Sequence, residues 1–416
     1  MSDLLTIDAA LARIIESASL LPVERLAVAH AVGRVLREPA IARVDLPPFP
    51  SSAMDGFAVR ASETPGELPI AFRVAAGTPA PGPLPPGTAA GISTGGSVPA
   101  DADAIVPVEL VDDRGSSVVI SEAVVAGQHV RPRGGDILTG AVVAAAGGRI
   151  GAAQIGALAA TGVDEVVCSK RPQVAVLATG SELRSAGDAL SAGQIYESNR
   201  GMVAAVLTRA NAEVDVLPVV ADDADAHRDA IARGLDADVL VTSGGVSMGE
   251  HDLVRRIASE LGVREVFWGV SVKPGKPLSF GVRERTLVFG LPGNPVSTLV
   301  GALVFVTPAL LVLQGASNAL PRYVAGLTAT ALSQNPHRDE FVRAVRIDDA
   351  DAVRLEAIVG QESHMIARAA AADALVHVPR GDGELEAGSL ARYAPYAAGK
   401  EPPPAGPIRR PVTRSR

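Results

Sequence analysis

Over residues 171–315 the chain alternates short, unbroken apolar runs with stretches whose apolar positions recur every three to four residues. QVAVLATGSEL reads as a strand and a tight polar loop, EVDVLPVV as a strand and ADVLVTSGG as a strand. NRGMVAAVLTRAN, DAHRDAIARGL and EHDLVRRIASELG fall between or after them and read as helices. Continuous apolar strands alternating with amphipathic helices predict a doubly wound, mostly parallel sheet covered on both faces. Ligands of such sheets sit beyond the carboxyl ends of the strands, where the loops TGSE and TSGG fall.

The flanks have a different texture. Leu11, Ile14, Ile15, Ala18 and Leu21 follow Thr6 at helical spacing, and a second helix is expected from Pro22 to Gly33. From Asp45 a Pro- and Gly-rich region carries the β-like runs FAVR, IAFRV, DAIVPVELV and SSVVI, as in a small all-β module. QIGALAATG, residues 154–162, reads as a helix stopped by glycine. After Pro321 short strands return in RYVAGLTATAL, DEFVRAVRI and ALVHVP. The basic, Pro-rich residues 399–416 are expected to be disordered.

Composition narrows the function. The 416 residues are enough for several domains, and the apolar runs are interrupted by Gly, Pro or charge, so no membrane span is expected. The acidic N-terminus lacks the basic start of a secretory signal, which predicts a cytoplasmic protein. A net charge of −8 and an aromatic content of 3% argue against nucleic-acid binding. The single cysteine, Cys168, excludes a disulfide framework. Only four of 38 basic residues are lysine, yet Lys273 and Lys276 lie three apart in VKPGKP. That placement suits a site wanting compact, mobile ammonium groups for an oxyanion.

Four loops carry candidate chemistry. LATGSEL offers Thr179, Gly180 and Glu182. TSGGVSMGEHD offers Ser243, Gly244, Gly245 and Ser247 as a nest of N–H and O–H donors for phosphate, with Glu250 and Asp252 beyond. Glu250 is expected to be a helix-start acid. Asp252 is expected to serve metal or substrate, since a divalent cation reconciles a carboxylate with a phosphate. VKPGKP is a rigid turn flanked by its two lysines, and LPGNPVST holds Pro292, Gly293, Asn294, Pro295 and Ser297 at a strand-to-helix turn. No triad or H-E-x-x-H pattern is present.

In this order, SSAMDGFAV, ISTGGSVPADADAIVPVE, RPRGGDI, PQVAVLATGSEL, TSGGVSMGEHD, VKPGKP and LPGNPVS resemble the molybdopterin molybdenumtransferases, the MoeA and gephyrin E-domain family, over roughly residues 5–395. The resemblance implies a multidomain α/β protein with β-rich modules. Its parts would be an elongated helical dimerisation domain (1–44 and 131–170), a small β-rich domain (45–130), the α/β molybdopterin-binding domain (171–320) and a C-terminal β-barrel-like domain (321–398). It implies a homodimer that takes molybdate and adenylylated molybdopterin as substrates, uses Mg²⁺ and releases AMP. Transient contacts with the molybdopterin adenylyltransferase and apo-molybdoenzymes follow from that role.

By motif, Glu182 and Asp252 would be carboxylates near metal and phosphates, and Lys273 and Lys276 the oxyanion-binding lysines. Asp222 or Asp223 would help place metal and substrate. Asp55 and Thr94 would reach in from the partner subunit, and Arg343 and Ser363 would complete the molybdate pocket. The chain departs from the family at Gly134-Gly135-Asp136, where Gly-Glu-Asp is usual, so one carboxylate is lost. A pterin-binding scaffold without catalysis, or a related adenylyltransferase or nucleotide pyrophosphatase, are the competing readings.

Overall fold

The computed structural model describes residues 4–245, 253–348 and 352–396. Two compact units emerge, one of residues 1–22 and 169–416, the other of residues 23–168.

The first unit is built on a six-stranded sheet. Its parallel strands run in the order Glu213–Val216, Gln173–Ala178, Val239–Ser243, Thr286–Leu291, followed by the antiparallel Ser279–Arg283 and Arg264–Trp268. The three central strands are almost wholly buried, which is why their sequences carry consecutive apolar residues, chiefly Val, Leu, Ala and Phe, rather than alternating ones. Helices Ala224–Gly234 and Leu253–Glu260 cover one face. Helix Asn199–Arg209 and the Pro295–Leu313 helix cover the other.

The Pro295–Leu313 stretch passes straight through Gly301 and Pro308 as 19 helical residues of mean hydropathy 2.3, contrary to the expectation that every apolar run is interrupted. A π-turn at Ala302–Val306 precedes Pro308, whose ring cannot continue the i→i−4 ladder. Most of the stretch is buried, so it is a core helix.

The first helix, Ile7–Ser17, is capped by the Thr6 hydroxyl, which accepts from the Ala9 N–H at 3.1 Å. Its apolar stripe of Ile7, Ala10, Leu11 and Ile14 packs in the same core as Phe267, Val270 and Leu313. This helix therefore belongs with the α/β unit and not with residues 23–44. Beyond the sheet, the C-terminal region forms a closed five-stranded barrel. Asp339–Asp348, Val353–Ala357, Val324–Thr328, Leu390–Pro395 and Ala374–Val378 follow one another round it, and the last pairs back to the first.

In the second unit, the 45–130 region is a curled six-stranded sheet in which the long strand Gly66–Val74 serves both halves. The helical character expected of 23–44 and 131–168 is confined, among the described residues, to Ala152–Ala160 and a short 3₁₀ turn. The second helix expected after Pro22 is instead the strand Val23–Ala27, paired with Glu165–Ser169. A partner strand about 140 residues away overrides the local helical spacing. Gly33 ends this segment with φ +77°, as its expected stop position requires.

Candidate active site

Three loops leave the carboxyl ends of adjacent parallel strands, at residues 179–183, 244–245 and 292–294. Together they wall a cavity of about 790 Å³ lined by Thr179, Gly180, Glu182, Asp222, Ser243, Gly244, Gly245, Pro292, Gly293, Asn294 and Pro295. Ser247, Glu250 and Asp252 lie outside the described residues.

The geometry separates the two neighbouring aspartates. Asp223 caps helix Ala224–Gly234, its Oδ1 accepting from the Ala226 N–H at 2.8 Å. Asp222 lines the cavity, where its Oδ2 accepts from the Ser181 N–H at 3.1 Å and its own N–H donates to the Ser181 hydroxyl at 2.9 Å. That reciprocal pair fixes the loop bearing Glu182. The Glu182 carbonyl in turn accepts from the Ile195 N–H at 3.0 Å.

The expected donor nest is used differently. Gly180 donates its N–H to the Val220 carbonyl at 3.0 Å, and Gly244 donates to the Leu291 carbonyl at 3.1 Å. These glycines thus shape the loops instead of offering free N–H groups. At Gly244 the reason for glycine is direct: φ is +93° and a Cβ would lie 2.8 Å from the Thr179 carbonyl oxygen. Ser243 is buried, and its hydroxyl accepts from the Asn199 amide at 2.8 Å.

Asn199 is the residue that spacing alone missed. Its Nδ2 also donates to the Gly293 carbonyl at 2.7 Å, joining the loops that follow two neighbouring strands. An Asn at a helix start usually reads as a cap. Here Glu197 accepts from the Asn199 and Arg200 N–H groups at 2.6 and 2.9 Å, which frees the Asn199 amide for the cavity wall. The lining also has an apolar part, with Leu183, Ile195, Tyr196, Pro277 and Ile366.

The C-terminal candidates divide. Ser363 docks on the 292–295 turn: its hydroxyl accepts from the Asn294 amide at 2.9 Å and its carbonyl from the Val296 N–H at 3.0 Å. Ser297 is buried in the helix just beyond. Arg343 was expected to complete an anion pocket, but it is only 1% exposed and its guanidinium is taken up inside the protein. It donates to the carbonyls of Met365, Gly360 and Glu362 at 3.1, 2.9 and 3.3 Å and to Gln361 Oε1 at 3.3 Å. Its work is to hold the 360–365 loop that presents Ser363.

Lys276 is exposed beside the cavity-lining Pro277, whereas the Lys273 ammonium is 3.0 Å from the Glu340 carboxylate. In the second unit Asp55 and Thr94 are brought together. Asp55 Oδ1 accepts from the Thr94 N–H at 2.6 Å and its hydroxyl at 3.0 Å, and these bonds hold the carboxyl below its usual pKa. Asp55 also borders a 310 Å³ hollow with Arg73 and Asp113. Asp136 of the departing motif donates its N–H to the Leu46 carbonyl at 2.9 Å.

Loops gathered at the ends of parallel strands, around a cavity lined by both carboxylates and apolar residues, define an α/β protein with a candidate site at the carboxyl edge of its sheet. Residues 5–162 match the MoeA N-terminal region (domains I and II), 175–312 a probable molybdopterin binding domain, and 325–396 the MoeA C-terminal region (domain IV). Molybdopterin molybdenumtransferase of Haemophilus influenzae is 32% identical over 403 residues, covering 94% of this chain and 99% of that protein. Molybdopterin molybdenumtransferase 2 of Mycobacterium tuberculosis is 37% identical over 374 residues, covering 86% and 92%. A crystal structure of the molybdopterin biosynthesis MoeA protein of Pyrococcus horikoshii superposes with a TM-score of 0.80 at 25% identity, covering 95% of this chain and all of that one. The chain belongs to the molybdopterin molybdenumtransferase (MoeA) family.

Proposed function

We propose that this transferase inserts molybdate into adenylylated molybdopterin, using Mg²⁺ and releasing AMP, as the last step of molybdenum cofactor synthesis in the cytoplasm. The observation that carries this reading is the 790 Å³ cavity at the carboxyl edge of the sheet, whose lining includes the carboxylates Glu182 and Asp222 as well as Leu183, Ile195 and Tyr196. A ligand joining a flat ring system to phosphates needs both kinds of lining.

The donor chemistry suits the cation. Mg²⁺ is a hard ion that takes one or two carboxylates together with substrate phosphates and water, rather than a complete protein cage. Among the described residues no cluster of three or more acidic, His or Cys side chains gathers, so a cation shared with the ligand fits better than an enclosed one. Glu182 would hold it, with Asp252 and with Asp222 close by. When bound, it neutralises charge building on the phosphoanhydride oxygens. The residues do the positioning: Asn199 fixes the loop spacing, Asp222 fixes the Glu182 loop, and Ser363 is set by Asn294. No protein nucleophile is required, because placing phosphate and oxyanion in line supplies the catalysis.

AMP release from adenylylated molybdopterin, compared with and without molybdate, tests the reading. Asp252→Ala and Glu182→Ala are each expected to lower the rate about 100-fold while leaving the urea midpoint unchanged. Wild-type rates in either variant remove that carboxylate from the mechanism. A wild-type chain that binds pterin but never releases AMP favours the scaffold reading.

A homodimer accompanies the proposal. Leu110, Leu138, Val125 and Val142 of the second unit are all more than half exposed, apolar side chains of the kind that a second copy would cover. Light scattering is expected to give twice the 42.4 kDa of one chain, and a monomer mass at micromolar concentration overturns it.

A further inference from the structure

We infer that Glu340 is a built-in competitor for the oxyanion at Lys273, a displaceable counter-ion that makes the site respond to doubly charged anions in preference to singly charged ones. The inference rests on the proposed function only in taking the lysine turn as the place where an oxyanion binds.

The geometry is specific. The Lys273 ammonium lies 3.0 Å from one Glu340 carboxylate oxygen and 3.2 Å from the other. The Glu340 side chain is only 12% exposed, while that of Lys273 is 44% exposed. The carboxylate is therefore the fixed partner and the ammonium the mobile one. Glu340 lies on the barrel strand Asp339–Asp348, paired on one side with Val378 and on the other with Lys273 itself. The lysine turn is stitched to this strand by the Ser271 hydroxyl, which donates to the His337 carbonyl at 2.6 Å, and by the Asp339 N–H, which donates to the Ser271 carbonyl at 3.1 Å. Turn and carboxylate are thus held in one register.

Charge then decides what enters. Lys276, three residues on, is exposed and has no carboxylate partner among the described residues, so it offers a standing positive charge. Lys273 is already neutralised. An arriving anion must draw the Lys273 ammonium away and leave the buried Glu340 carboxylate without its partner. A monoanion only exchanges one unit charge for another and gains nothing against that loss. A tetrahedral dianion interacts with both ammonium groups and can offset it. A lysine stem suits this exchange better than an arginine fork, since its ammonium reorients about four rotatable bonds without losing a bidentate geometry. That accounts for lysine at this position in a chain that otherwise takes arginine.

The test is equilibrium binding of inorganic molybdate to the full chain, with chloride as the competing monoanion, for wild type, Glu340→Gln and Lys276→Ala. Glu340→Gln is expected to bind molybdate on the order of tenfold more tightly, from the removal of one negative charge, and to become more sensitive to chloride. Lys276→Ala is expected to bind it more weakly. In the AMP-release assay Glu340→Gln lowers the KM for molybdate and leaves kcat within about twofold, a split that a merely structural role does not produce. Molybdate binding that is unchanged or weaker in Glu340→Gln overturns the inference, as does the absence of binding by both proteins. If Glu340→Gln does not fold, Glu340→Asp, which keeps the charge but withdraws it by one methylene, is expected to bind more tightly than wild type, and equal affinity overturns the inference. A wild-type chain that binds molybdate but releases no AMP counts against the proposed function alone, since the binding comparison still decides the part played by Glu340.

Discussion

Arg343→Ala is expected to destabilise the first unit by roughly 2–3 kcal/mol, the upper part of the range for losing hydrogen bonds made by a charged group. The guanidinium is 1% exposed and donates to three backbone carbonyls and to Gln361 Oε1. The alanine variant leaves those acceptors, on a half-buried loop, without their donor. Gln361 also loses its anchor, although its own amide still donates to the Arg343 carbonyl at 2.9 Å. Urea denaturation measures the loss, and a shift below about 1 kcal/mol shows that the loop relaxes into solvent at little cost. Arg343→Lys is expected to recover less than half, because one ammonium cannot reach acceptors spread across the plane of a guanidinium. If the proposed reaction holds, AMP release is expected to fall in both variants, since the 360–365 loop presents Ser363 to Asn294.

Gly56→Ala is the second large effect, and it falls in the other unit. Gly56 opens the strand Gly56–Val59, which pairs antiparallel with both Ala89–Ile92 and Ala104–Pro107. A Cβ at this position would lie 2.0 Å from the Val106 carbonyl oxygen and 2.9 Å from its carbon. These are backbone atoms of a paired strand, so no side-chain rotation relieves the overlap and the two strands must part at this end. The expected loss is roughly 3 kcal/mol, the upper part of the overpacking range. It should appear as faster hydrogen exchange at Phe57 and Val106, with Val174 and Val241 of the first unit unaffected. Equal protection in wild type and variant means that the strand end yields freely. Because Asp55 immediately precedes Gly56, the Asp55–Thr94 hydrogen bonds at 2.6 and 3.0 Å should weaken with it, raising the Asp55 pKa toward the ordinary carboxylate value.

Much of the first unit was legible because its evidence is local. The runs QVAVLA, VLVTS and TLVFGL carry their burial in their composition, and each of the first two became a strand at nearly the expected limits. Glycine and proline marked the loops that wall the cavity, and the helix at Ala152–Ala160 ends just before Gly162 at φ +77°. The Lys273–Lys276 turn drew attention through the scarcity of lysine elsewhere. Local evidence misled at residues 23–33, where apolar spacing compatible with a helix proved to be an edge strand and a 3₁₀ turn. It also left the first helix in the wrong unit, since an amphipathic stripe shows that a partner exists but not which one.

The chain by itself determined its element order, the strand-end loops that gather the candidate site, and its family, because each is written in spacing and residue type over ten or twenty positions. Only the tertiary structure decided how individual polar groups are spent. Asn199 meets Ser243 and Gly293, Lys273 meets Glu340, and Arg343 turns inward to its loop carbonyls. Asp222 faces the cavity while Asp223 caps a helix. Each of these outcomes depends on which group lies within about 3 Å and whether water can compete for it. The partners of Asn199 and Lys273 are 44 to 94 residues away, so no local pattern encodes that proximity. Adjacent aspartates have the same composition around them, and only folding sets one against a helix end and the other against the cavity.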